Sequence, residues 1–449
     1  MFRKTIAPLL ALLCFLLVVT SLYLGRGSLT WPSYNPVSIG HNEAQASISP
    51  TSLETKAKTT STEIYVQPAI SSPSPSPTVS SPPTISNGTI LSADLISPYI
   101  SAILNPTATV LPRLKCPVLN SQRYRSLQQR NEQEPKISFF FALNLRNCKD
   151  ILPRLLGSIV EVAQFLGVSR CAISIVEGNS ADGTADVLSA LDPFLKDLGL
   201  VYLFQNSKIN PSKDARIKKL AQLRNLALEP LVKNQVPVSD ETTVLFINDV
   251  AACPDDLLEL VHQKRNLNAD MTCAMDYTYV GQHPTFYDIW VARTIKGDSF
   301  FEVGSDGNWN SAWNLFWNDP QTRARFEEHK PFQVFACWNG ATAFGASPLL
   351  HGTRFRESNP NECFQGEPTL FCKDLWHRGF RKIAVIPSVN LEYSDKRGAD
   401  IKKLKGYVSD IVEEEDEDNA IDWVFSPPEQ VRCMPTWETQ EWRPWNETL

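Results

Sequence analysis

No pair among the nine cysteines between Cys116 and Cys433 has CxxC spacing. That leaves a zinc centre without its usual ligand pattern. There is no basic excess either. The 449 residues carry 43 Lys and Arg against 49 Asp and Glu, a formal net charge of -6. A nucleic-acid partner therefore has no electrostatic support. Charge is absent from Ile6 to Leu24. Apolar residues are nearly absent from Pro73 to Pro83, where every residue but Val79 is Ser, Thr or Pro. Such a tract cannot bury enough apolar surface to offset the entropy of ordering it.

The uncharged run is as informative as the gaps. It follows Arg3 and Lys4 and precedes Arg26. At ~1.5 Å per residue it nearly spans a hydrocarbon layer of ~30 Å. It exceeds the usual ~7–15 residue core of a cleaved signal peptide, and no small-x-small site follows closely. The two basic residues before it favour an N-in orientation. The expected organisation is a cytoplasmic tail (1–5), a signal anchor (6–24), a disordered Ser/Thr/Pro-rich stem (25–112) and a lumenal globular domain (113–449). Tracts like this stem are common O-glycan carriers. Asn87-Gly88-Thr89 and Asn446-Glu447-Thr448 match the N-glycan acceptor pattern. Cysteines spread through the globular part point to disulfides and an oxidising compartment. Nine being odd, at least one thiol is left over.

From about Cys116 onward, strand and helix patterns alternate. Strands are predicted over 137–145, 171–177, 201–204, 243–249 and 381–389. Helices are predicted over 151–166, from 184 to about 198, over 217–228, from Pro254, and from Glu367 to Leu375. The alternation predicts an α/β fold with a mostly parallel sheet. Ligands of such sheets sit beyond the carboxyl ends of the strands. That rule points to the Glu177–Thr184 loop and to Asn248-Asp249.

Asp249 ends an apolar strand, where a carboxylate can hold a divalent cation against phosphate oxygens. It can equally cap the helix that follows. The run Glu177-Gly178-Asn179-Ser180-Ala181-Asp182-Gly183-Thr184 resembles the first nucleotide loop of GT-A glycosyltransferases. There Glu177, Asp182 and Gly183 would meet the nucleotide, with Gly183 permitting close backbone approach. An ordinary Asp-Gly turn is the plainer alternative. Ala221–Asn225 resembles the Arg-Asn helix of the same enzymes, with Arg224 facing a phosphate. Glu367 opens a helix whose place in the chain resembles the acceptor helix; a helix-capping role is the alternative. Trp309, Trp313, Trp317 and Trp338 are candidates for an acceptor groove, or for core packing. The acidic run Glu413–Asp418 reads as a solvated segment.

A closer resemblance covers residues 115–440. TVLFINDV, CAMDY (273–277), IWVARTIKGD (289–298), CWNG (337–340), ECFQGEPTLFCKDLW (362–376) and KIAVIPSVNLEYS (382–394) resemble the fungal capsule-associated mannosyltransferases of glycosyltransferase family 69. The resemblance implies a Rossmann-like GT-A domain, GDP-mannose as donor, a mannose-containing glycan as acceptor, and retention at the anomeric carbon. It also implies a divalent metal, with Mn²⁺ expected in preference to Mg²⁺; the anchor and orientation read from the N-terminus make the chain a single-pass type II protein, expected in the Golgi membrane. Carried onto this chain, it makes Glu367 and Asp374 the candidate catalytic carboxylates. Glu177, Asp182, Gly183, Arg224 and Asn248 become donor contacts, Trp338 and Asn339 acceptor contacts, and Asp249 and Glu392 metal ligands. The chain departs from the general GT-A pattern in having Asn248-Asp249 rather than two flanking carboxylates. It also has Glu392 where a His is common, His377 being the nearest His. A non-catalytic lumenal protein, binding polysaccharide or assisting its export, is the rival from another class. A glycosidase would need two well-placed carboxylates and leaves the nucleotide-loop pattern unexplained.

Overall fold

The computed structural model describes residues 83–129, 136–412 and 419–449. The expected anchor at 6–24, most of the Ser/Thr/Pro tract and the acidic run 413–418 lie outside them. Among the described residues no helix is long and apolar enough to cross a membrane.

The first strand shows how the layers arise. In β1 (Phe139–Leu145), Phe139, Phe141, Leu143 and Leu145 join one buried cluster, and Phe140 and Ala142 join the other. Alternation of side chains on a strand sends both sets into cores, so helices must cover both faces. One face takes α1 (Ala93–Leu104), α2 (Leu152–Leu166) and α3 (Thr184–Ala190), together with α5 (Pro254–Asn266). The other takes α4 (Arg216–Val232) and α6 (Glu367–His377).

The larger of the two sheets among the described residues has ten strands. β1 lies between β2 (Cys171–Gly178) and β4 (Thr243–Ile247), and β3 (Val201–Ser207) is beyond β2, all parallel. β9 (Ala341–Gly345) then pairs antiparallel with both β4 and β5 (Met271–Val280). β5 pairs parallel with β10 (Ile383–Glu392). β6 (His283–Phe286) folds back on β5, and β8 (Phe332–Ala336) runs antiparallel to β10 and to β7 (Arg293–Thr294). The expectation of a mostly parallel sheet is thus corrected to a mixed one. Yet β9 between β4 and β5 preserves direction, so β1 to β5 and β10 all end at the same edge.

A second correction concerns the stem. Residues 93–104, assigned to it from sequence, form α1. Ile96, Ile100 and Ile103, spaced for one helical face, are buried and join the α2 cluster. Pro98 and the neighbouring low-complexity tract obscured that spacing. Arg113 ties the segment down by donating to the Ala102 carbonyl at 2.6 Å. Three disulfides are present among the described residues: Cys116–Cys253, Cys273–Cys337 and Cys363–Cys433. Cys148, Cys171 and Cys372 are free and buried.

Candidate active site

The shared carboxyl edge gathers the candidate residues. Where β4 ends, the Asn248 N–H donates to the Gly340 carbonyl at 2.8 Å, and the Ala251 N–H to the Glu392 carbonyl at 2.7 Å. Asp249 is therefore pinned between the turn that opens β9 and the last residue of β10. That turn is tight. Asn339 and Gly340 both have positive φ, 54° and 83°. A Cβ on Gly340 would lie 3.2 Å from both the Asp276 Cβ and a Val250 methyl, so glycine lets β5 and the β4 tail approach the turn.

Asp249 is half-buried and takes a hydrogen bond from its own backbone N–H, with no side-chain donor among the described residues. Burial raises its pKa, and the charges of Arg224 and Arg216 pull it back. Burial and the charges of Asp249 and Asp182 likewise push up the Cys148 thiol, and the Cys148 N–H donates to the Thr184 hydroxyl at 3.1 Å, so the 177–184 loop is close to Asp249.

Arg224 and Glu367, picked from segments far apart in sequence, meet as a buried ion pair with Nε to Oε1 at 2.8 Å. The guanidinium lies 4.5 Å from the Trp338 ring centroid, 5.1 Å from Phe246 and 5.6 Å from Phe355. Its Nη1 has no hydrogen-bond partner. Trp338 in turn donates from its indole N–H to the Asn248 side-chain oxygen at 3.2 Å. Arg224, Glu367, Trp338 and Asn248 are thus one unit behind the β4 tail.

This unit corrects several expected roles. Trp338 is 1% exposed and Asn339 fully buried, so neither side chain offers a surface to an acceptor. Asn339 instead spans the turn, donating from Nδ2 to the Ala274 carbonyl at 2.8 Å. Glu367 is 3% exposed and held by Arg224, which withdraws it from an acceptor face. Asp374 lies seven residues further along α6, roughly 10 Å at the helical rise. Both its oxygens accept from Arg356, at 2.8 Å each. His377 is exposed at the far end of the same helix.

The 177–184 loop is held together by the residues expected to bind donor. Glu177 accepts from the Ser180 N–H at 2.6 Å and the Asn179 N–H at 3.2 Å. Asp182 accepts from the Lys149 N–H, the Thr184 N–H and the Thr184 hydroxyl, at 3.0, 3.0 and 2.6 Å. Gly183, at φ 92°, does permit a close approach, but of Leu91, which a Cβ there would meet at 2.5 Å. Glu392 is 3% exposed and accepts from the Ser394 N–H and hydroxyl at 2.6 and 2.9 Å. One of its oxygens is thereby taken up in starting the next helix. No group of three or more His, Cys, Asp or Glu positioned for a metal occurs among the described residues.

Five residues at this edge carry no sequence pattern that assigns them a role. Asp276, on β5, is fully buried; its Oδ2 accepts from the Tyr393 hydroxyl at 2.6 Å and its Oδ1 has no partner. Burial and the neighbouring Asp288 raise its pKa well above the usual carboxylate range. Asp288 is half-buried and accepts from the Asn339 N–H at 2.8 Å. Burial pushes it up to about 6, against the pull of that N–H and of Arg224. Tyr287 packs edge-on against Tyr393 at 5.0 Å and is pushed up to about 12 by burial and by Asp288, Asp276 and Asp249. Arg216, exposed at the start of α4, acts on both Asp249 and Tyr287. Asp276 lies inside β5 (Met271–Val280), where a lone carboxylate among buried strand residues is the signal that could have found it. Asp288 lies in a turn with no pattern of its own.

Comparison with known proteins agrees with the motif resemblance. The family described as Cryptococcal mannosyltransferase 1 matches residues 138–374. The α-1,3-mannosyltransferase CMT1 of Cryptococcus neoformans var. neoformans serotype D is 33% identical over 418 residues, covering 84% of this chain and 86% of that protein. Among solved structures, S. aureus TarS 1–349 with UDP-GlcNAc is 14% identical, covers 57% of this chain and 58% of its own, and has a TM-score of 0.34. Mannosyltransferase PcManGT of Pyrobaculum calidifontis, with GDP-Man and Mn²⁺, is 11% identical, covers 61% and 63%, and also scores 0.34.

Proposed function

The chain belongs to the cryptococcal mannosyltransferase family of glycosyltransferases, and on that premise we propose that it moves mannose from GDP-mannose to a hydroxyl of a mannose-containing glycan. The linkage is α-1,3, formed with retention, on a GT-A-type domain. The uncharged run at 6–24 holds the chain in the Golgi membrane as a single-pass type II protein with the domain in the lumen.

One observation carries the reading. Asp249 stands at the shared strand edge with no side-chain donor on its carboxylate among the described residues, beside the nucleotide loop and under the charge of Arg216 and Arg224. A hard divalent cation suits such a carboxylate. Asp249 would hold it, with Glu392, whose backbone carbonyl takes the Ala251 N–H, as the candidate second ligand from β10. When bound, the metal offsets charge on the departing diphosphate. Arg216, exposed at the start of α4, takes a phosphate. Arg224 acts from behind as fixed positive charge, held in place by Glu367 and Trp338.

The test is donor binding by the full-length chain, with and without Mn²⁺. Asp249→Asn should fold like the wild type and lose the metal-dependent part of GDP-mannose binding. Unchanged metal-dependent binding in the folded variant excludes Asp249 as the ligand. Donor binding without transfer to any of a panel of mannosides would favour the non-catalytic, polysaccharide-binding alternative.

A further inference from the structure

The carboxylates at the strand edge differ in how much of each is still available. Glu367 is held by Arg224. Asp276 is fully buried against the Tyr393 hydroxyl. Glu177, Asp182 and Glu392 close their own loops. Two remain half-open. Asp249 faces Arg216 and Arg224, which suits the diphosphate side. The other is Asp288.

The surroundings of Asp288 hold it rigidly. Its carbonyl accepts from the Val291 and Ala292 N–H groups at 3.0 and 2.9 Å, so its backbone opens a hydrogen-bonded turn. One carboxylate oxygen takes the Asn339 N–H at 2.8 Å. Asn339 is itself fully buried and anchored on the Ala274 carbonyl. No described residue donates to the other oxygen. The charges of Arg224 and Glu367 both act on this carboxylate, and its own charge acts on Tyr393, so it is close to both the Arg224–Glu367 pair and the Tyr393–Asp276 pair.

Resting on the transferase reading above, we propose that Asp288 is the carboxylate that faces the anomeric carbon of the donor sugar. In the transfer step the bond from C1 to the diphosphate oxygen breaks, and its electron pair leaves on the diphosphate. A bond forms from C1 to the acceptor oxygen, and the acceptor's hydroxyl proton passes to the departing phosphate oxygen. Asp288 gains and loses no bond. Its fixed negative charge stabilises the positive charge that builds at C1, and it needs no reorganisation to do so. A carboxylate acting on developing charge changes turnover and leaves ground-state donor binding nearly alone.

The experiment measures transfer from GDP-mannose to a mannoside panel, donor KM and melting temperature for full-length wild type, Asp288→Asn and Asp288→Ala. The Asn variant should keep donor KM within about threefold and lose ~10²-fold or more in kcat, the loss seen when one positioned electrostatic group is removed. It should melt no lower than wild type, because Asn keeps an acceptor for the Asn339 N–H. Added formate should restore part of the turnover of Asp288→Ala by returning a carboxylate to the vacated space. Wild-type transfer with Asp288→Asn above a tenth of wild-type kcat overturns the inference and leaves the transferase reading standing. A clear drop in melting temperature, or a folded Ala variant that formate does not rescue, overturns it in favour of a structural role. Absence of transfer by the wild type overturns the reading itself, and the inference with it.

Discussion

Breaking the Arg224–Glu367 pair should cost more stability than chemistry. Both side chains are nearly inaccessible, 9% and 4% exposed. Removing one partner of a buried ion pair strands the other, at about 3–5 kcal/mol. Glu367→Gln belongs at the low end, ~3 kcal/mol, because the amide oxygen still accepts from Nε and the Trp338, Phe246 and Phe355 rings still face the guanidinium. Arg224→Met belongs at the high end, ~4–5 kcal/mol, because it leaves a carboxylate buried with no partner. The double variant removes both charges and should recover more than half of the summed loss, the signature of coupled neighbours. At ~2–4 °C per kcal/mol for a large domain, Glu367→Gln should lower the melting temperature by roughly 6–12 °C. Once corrected for the folded fraction, its turnover should fall less than about tenfold, in contrast to a group acting in the transition state. The assay is thermal and urea denaturation of the single and double variants, with transfer measured on the same preparations. Single variants within ~1 kcal/mol of wild type, or losses that simply add, refute the view that this pair is one buried unit.

Other variants separate scaffold from site. Asp374→Asn breaks a bidentate contact with Arg356 and should cost about 1–3 kcal/mol in urea titrations while leaving kcat of the folded enzyme within about twofold. Gly183→Ala forces both a strained φ and a clash with Leu91; it should destabilise by ~1–3 kcal/mol, and proteolysis should cut sooner near residue 91. Arg216→Ala should raise donor KM roughly tenfold, about 1.4 kcal/mol of phosphate attraction, with an unchanged melting temperature; an unchanged KM removes Arg216 from the donor site. Asp288 has a folded pKa of about 6, above the ~4 of an unfolded aspartate. The folded state therefore holds its proton more tightly, so its contribution to stability is full below pH ~4 and lost as pH rises through 6. Asp288→Asn should flatten that part of the stability–pH curve.

Most of the strand edge was legible because local rules and tertiary structure agree there. Apolar runs such as TVLFI become β4, and Asp249 stands just past its carboxyl end, as its place in the sequence implies. What was not legible was the direction in which each polar side chain turns. Asp182 and Glu177 have the residue types of nucleotide contacts, yet N–H groups of their own loop and of Lys149 take their oxygens. Trp338 reads as a sugar platform until Arg224 and Phe355 close over it. Antiparallel β9, inserted between β4 and β5, carries no mark in an alternation of strand and helix. Asp288 became visible only through Asn339, a residue 51 positions away whose backbone holds it.

The central claim is that this strand edge transfers mannose from a nucleotide sugar. Its most direct test is to incubate the full-length chain with GDP-mannose, Mn²⁺ and a panel of mannosides, and to read the product by mass and by the anomeric and linkage signals of its NMR spectrum. The expected product carries one added hexose in α-1,3 linkage and is lost on chelation of the metal and in Asp249→Asn. A folded, donor-binding chain that yields no product with any mannoside, or a product formed undiminished by Asp249→Asn, would contradict it.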